Sequence, residues 1–178
     1  MLNHPESSYL PYSHKIEGPP KEARERFYEM ARARVFYASQ EEMIEFGKQA
    51  TGEDESRTTG LYVRLPREEF TEDGMEKWID GLQIIVNKDA FRQDGKDFSD
   101  LIPYAVEHEL YELWVKSKRG ISVQETEKAH LLARRKQVEM ALRDGKLDKM
   151  IEFYTKLNPE YAKELEYARK KAEQKRHK

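Results

Sequence analysis

Only two short segments carry the pattern of a β-strand, and the chain beyond residue 100 is patterned almost wholly for helices. The run GLYVRL (60–65) alternates Leu61, Val63 and Leu65 with Tyr62 and Arg64, the period of a half-buried strand, and Pro66 closes it. The run GLQIIVN (81–87) sets Ile84, Ile85 and Val86 side by side, three β-branched residues that favour a second strand. Two strands are too few for a doubly wound sheet, and no internal repeat supplies more. The expected fold is therefore α+β, with a small β-sheet and a predominantly helical C-terminal half. At 178 residues the chain suits one such domain.

The punctuation divides it further. Residues 1–20 hold Pro5, Pro11, Pro19 and Pro20 without an apolar period, which reads as an extended N-terminal arm. Residues 21–168 form the α+β domain. From Pro20, the run KEARERFYEMARARVFYA places Ala23, Phe27, Met30, Ala31 and Val35 at helical spacing, predicting one amphipathic helix to about residue 38. Ser39 and Glu42 form a capping box for a second helix, and residues 51–59 read as an exposed loop. EDGMEKWID (72–80) predicts a short helix, and 88–100 a polar loop. Beyond it come helices from Leu101 to about Lys118, from a second capping box (Ser122, Glu125) to Arg143, over 147–157 after Gly145, and from Asn158-Pro159 onward.

Composition narrows the chemistry. There is no cysteine, so disulfides, thiolate metal sites and a cysteine nucleophile are excluded, and a metal must rest on His, Asp or Glu. The net charge of -2 argues against a general nucleic-acid binder. No run approaches a membrane span, and the start MLNHPESSYLPYSHK has neither the basic end nor the apolar middle of a signal peptide. The expectation is a cytoplasmic protein with no membrane partner.

Of five histidines, His4 and His14 lie in the arm and His177 in the charged tail, which leaves His108 and His130. His108 opens the string His108-Glu109-Leu110-Tyr111-Glu112. On a helix, residues four apart emerge on one face, so His108 and Glu112 can share one metal ion, with Glu109 displaced round the helix and free to act on a water. With 25 glutamates, chance alone produces such a string beside one of five histidines in roughly one chain in ten, so its surroundings decide its meaning. Those surroundings are a β-branched strand just before, an otherwise apolar helix and a second internal histidine, His130. The plainer reading leaves His108 and His130 hydrogen-bonded in helix packing, with Glu107, Glu109 and Glu112 as a solvated acidic face.

Strand GLQIIVN, a polar loop and a helix bearing HELYE together resemble the core of a minimal zincin metallopeptidase, over roughly residues 60–135. The resemblance implies that His108 is a metal ligand and Glu109 the general base, with Glu112 in the place of the family's second histidine. It implies a third ligand from the next helix. His130 is the nearest, Glu127 or Glu125 the alternatives, and a hairpin at 118–123 would bring the helices together. Two imidazoles and a carboxylate suit zinc, and also iron or manganese. The implied activity is hydrolysis of an amide or peptide by a metal-activated water, with strand 82–87 as the edge to which an extended substrate adds.

Two other readings stand beside it. Glu127 and His130 have the Glu-x-x-His spacing of di-metal carboxylate bundles, without a second copy. A non-enzymatic helical protein would bind a protein or nucleic acid instead. Residues 169–178 form a basic tail, with six cations against Glu173 alone, suited to an acidic partner or nucleic acid.

Overall fold

The computed structural model of the protein describes residues 21–50, 52–54, 58–64, 71, 73–119 and 123–176. The arm 1–20, Leu65, Pro66, Gly120 and Ser122 lie outside them, as does the side chain of Glu125. The fold is α+β.

Helix α1 (Lys21–Arg32) buries Phe27 and Ala31 and stops sooner than its apolar spacing predicts. The next residues form strand β1 (Val35–Ala38). Val35, Phe36 and Tyr37 prefer extended backbone, and β1 pairs in parallel with a strand far along the chain, a partnership that local periodicity does not reveal. The Arg34 guanidinium donates to the carbonyls of Ile79 and Asp80, which pins the turn before β1. Helix α2 (Gln40–Ala50) begins at the expected capping box. Ser39 Oγ accepts the Glu42 N–H at 3.2 Å, and Glu42 Oε2 accepts the Ser39 N–H at 2.7 Å.

Strand β2 (Gly60–Arg64), helix α3 (Met75–Asp80) and strand β3 (Gln83–Asn87) follow. The sheet order is β1-β3-β2, with β1 parallel and β2 antiparallel to β3. The expectation that 82–87 is an edge is thus overturned. Strand β3 has both sides paired, because β1 supplies the neighbour that the sequence pattern hid, and it cannot take up a peptide strand. The same arrangement explains the unbroken Ile84-Ile85-Val86 run. Ile84 and Val86 face the main core, while Ile85 packs with Ala38 and Met43 beneath α2.

The polar segment after β3 is more ordered than a loop. A two-stranded ribbon, β4 (Arg92–Gln93) and β5 (Lys96–Asp97), turns through Asp94 and Gly95, both at positive φ (49° and 76°), the conformation that makes Asp-Gly a hairpin signal. Phe91 stacks on Phe153 at 4.9 Å and Phe98 packs on the same ring, so the segment is fastened to the helices.

Helix α4 (Ile102–Arg119) lies side by side with α5 (Val123–Arg143). Helix α5 ends in a Schellman motif, in which Gly145 (φ 67°) donates to the Leu142 carbonyl and Lys146 to that of Ala141. Helices α6 (Leu147–Leu157) and α7 (Pro159–Arg176) complete the chain, the latter capped by Asn158, whose Oδ1 accepts the Tyr161 N–H at 3.1 Å. The basic tail is helical through Arg176, and Arg169 pairs with Asp148 at 2.8 Å. Among the described residues, no helix is long and apolar enough to cross a membrane.

Candidate metal centre

Helix α4 runs through the interior, with Leu110 and Leu113 fully buried on its apolar side. Three of its polar residues, His108, Glu109 and Glu112, are buried as well. Among the described residues, the buried polar or charged side chains are Asn87, His108, Glu109, Glu112 and Gln137, and four of these five belong to one site. A buried charge is costly unless paired, so this concentration calls for a local reason. It also removes the plainer reading of a solvated acidic face. Glu109 and Glu112 are inside, and Glu107, at the margin, pairs with Arg32.

The helical spacing brings His108 and Glu112 together as expected, and the α4–α5 packing adds His130. His130 Nδ1 lies 3.2 Å from His108 Nε2 and 3.1 Å from Glu112 Oε2, and the remaining side of the triangle, His108 Nε2 to Glu112 Oε2, is 3.5 Å. Protons serve such a triangle poorly. Each neutral imidazole has one N–H, so three mutually close atoms cannot all be bridged by linear hydrogen bonds. A cation serves it well, because donors at 2.0–2.1 Å in tetrahedral arrangement stand about 3.3–3.4 Å apart. The donor set thus fits a zinc ion on both chemistry and spacing.

Neighbouring groups prepare these atoms. Lys116 Nζ holds the other carboxylate oxygen, Glu112 Oε1, at 2.6 Å, which leaves Oε2 for the histidines. Burial lowers the pKa of His108, with the Glu112 hydrogen bond opposing, so the imidazole is neutral and its lone pair available. Among the described residues, however, the buried His108 Nδ1 has no hydrogen-bond partner, so none of them supplies the carboxylate or carbonyl that usually fixes the tautomer of a ligating histidine.

Glu109 is beside the triangle and outside it. It lines a cavity of about 200 Å³ with His108, His130, Gly60, Arg134, Gln137 and Tyr154. Burial, and secondarily repulsion from Glu112, push its pKa up to about 8, while Lys116 pulls the other way. The strand at this site is β2. A Cβ on Gly60 would stand 3.1 Å from Glu109 Oε1 and 3.2 Å from its Cγ, so the glycine makes room for the carboxyl group.

Of the alternative ligands, Glu127 is exposed and stands outside the cluster, so His130 is the third member. Among the described residues no second group of metal-ligating side chains converges, which leaves the di-metal reading without its other half. Sequence reasoning missed Lys116, Arg134, Gln137 and Tyr154. The spacing of His130, Arg134 and Gln137, at i, i+4 and i+7 on one helix, was the available signal for two of them. Tyr154 comes from α6 and had none.

Comparison with known protein families, with characterised proteins and with solved structures finds no match to this chain.

Proposed function

We propose that this protein is a metal-dependent hydrolase of amide or peptide bonds, zincin-like in its chemistry, with zinc the best-suited ion and iron or manganese compatible with the same donors. One observation carries the reading: His108 Nε2 and Glu112 Oε2, both buried, and His130 Nδ1, on a half-exposed side chain, converge at 3.1–3.5 Å at the margin of a cavity that also holds the buried carboxyl group of Glu109. When bound, the metal would lower the pKa of a water and polarise the substrate carbonyl, and its positive charge would favour the ionised form of nearby Glu109.

The remaining work belongs to the chain's own side chains. Glu109 accepts a proton from water in the cavity and delivers it to the leaving amine, the two halves of general acid–base catalysis. Burial raises its pKa in the metal-free protein and a bound cation would draw it back down, toward the range in which a group both takes and returns a proton near neutrality. Lys116 keeps Glu112 in a fixed orientation. The Tyr154 hydroxyl, buried beside Glu109, has its pKa raised by that burial and remains a protonated donor toward developing negative charge. We place this activity in the cytoplasm, where a cysteine-free site of histidine and carboxylate is insensitive to thiol redox state.

The test is elemental analysis after zinc reconstitution, followed by turnover of a mixed peptide pool. The expected result is about one zinc per chain, lost in His108→Ala and in His130→Ala. Glu109→Gln should keep the metal while turnover falls roughly 10²–10⁴-fold. Substoichiometric zinc in the reconstituted wild type would refute the metal site, and unchanged turnover in Glu109→Gln would refute the role of Glu109.

A further inference from the structure

The cavity contains a cation that hydrolysis itself does not require. Arg134 lies one turn beyond His130 on α5, so the two side chains leave the same face of the helix. Arg134 lines the cavity, and its guanidinium lies 4.5 Å from the centre of the Tyr161 ring, another lining residue. Its Nη1 donates to both oxygens of Glu164, at 3.1 and 3.2 Å. These contacts fix the plane of the guanidinium and occupy a single nitrogen. Nε and Nη2 have no bond to the described residues, and neither is a fully buried unpartnered atom, so both remain available as donors.

The surroundings hold that wall rigid. Gln137, 2% exposed, accepts the Tyr161 hydroxyl at 2.7 Å and reaches the Tyr154 hydroxyl at 3.5 Å. The electrostatic influence of Arg134 extends to His108 and to Tyr154, which places its charge within the same small space.

We propose that Arg134 anchors a carboxylate on the substrate, so that the cavity takes a small amide ending in a free carboxyl group, as at the C-terminus of a peptide. A guanidinium edge with two parallel N–H groups matches a carboxylate. No other lysine or arginine lines the cavity among the described residues, so one guanidinium, shared with Glu164, is what a ligand carboxylate would meet. Space sets the length. The cavity of about 200 Å³ is smaller than usual ligand pockets of ~300–1,000 Å³, which leaves room for a short substrate alone. The anchored carboxylate therefore belongs to the residue next to the scissile bond. Naming it a substrate rests on the hydrolase reading, whereas the binding step does not.

Binding of N-acetyl-L-alanine and of N-acetyl-L-alaninamide, followed by NMR titration on metal-free and on zinc-loaded protein, separates the two claims. In metal-free wild type the acid should bind about tenfold or more tighter than the amide, the discrimination a charge-assisted hydrogen bond supplies. Arg134→Gln should abolish that preference and Arg134→Lys should keep part of it, with zinc uptake unchanged in both. Equal binding of acid and amide by the wild type would overturn the anchor, and so would a preference that persists in Arg134→Gln. The wild-type comparison decides the matter even if that variant does not fold. Inorganic phosphate binding more tightly than the acid, and displacing it, would overturn the carboxylate in favour of a phosphate. Zinc uptake without acid preference would leave the hydrolase reading and remove the anchor, while acid preference without zinc uptake would do the reverse.

Discussion

Replacing Glu109 by Gln should change how the stability of the metal-free protein depends on pH. The Glu109 carboxyl has its pKa moved from 4.5 to about 8, chiefly by burial. At 1.36 kcal/mol per unit, ionising it inside the fold costs about 5 kcal/mol in full, of which about 1 is felt at pH 5 and about 4 at pH 8. The sign follows from proton counting. Between pH 4.5 and 8 the folded chain keeps a proton that the unfolded chain has released, so stability is highest below 4.5 and declines as pH rises through 8. Glu109→Gln imitates the protonated form and does not titrate. Urea unfolding of chelator-treated wild type and variant, from pH 5 to pH 8, should show the variant gaining about 3–4 kcal/mol over the wild type across that range. His108, whose pKa burial lowers, changes stability in the opposite sense on the acid side, equally in both proteins, and cancels in the difference. Two curves that stay parallel within about 1 kcal/mol would show that the carboxyl group is not buried in its unpaired setting, and would remove the structural basis for its role.

Glu112→Gln should lose zinc before anything else, because the anionic donor is removed, and it should also disturb the Lys116 contact at 2.6 Å. Metal content measured beside that of Glu109→Gln separates ligand from base. Gly60→Ala should lower turnover while zinc stays bound, since its Cβ would crowd Glu109 Oε1 at 3.1 Å, and steady-state kinetics with metal analysis reads both effects. Ser39→Ala breaks the capping box at the start of α2 and should cost about 1 kcal/mol in chemical denaturation. Removing residues 169–178 should cost less than about 1 kcal/mol, since 169–174 are exposed or half-buried and the pair with Asp148 is at the surface; a large fall in melting temperature would show that the end of α7 is structural.

The sequence by itself determined what depends on near neighbours. The capping box at Ser39 and Glu42, the glycine stop at Gly145 and the Asn158-Pro159 start are each a few residues of local hydrogen bonding, and each was legible. The pairing of His108 with Glu112 follows from helical pitch alone, and the hairpin at Asp94-Gly95 was there to be read from its turn residues. What tertiary structure alone decided depends on residues far apart in the chain. Val35–Ala38 fits a helical period, and only the parallel pairing with β3 makes it a strand and turns β3 from an edge into the centre. The burial of Glu109 and Glu112 is likewise a matter of packing. Their spacing suits a wet surface as well as an interior, and it is β2, α5 and α6 closing over α4 that strip them of water and raise one pKa to about 8. Local sequence sets which side chains share a face; the desolvation that gives those side chains their chemistry comes from surfaces distant in the chain that meet only on folding.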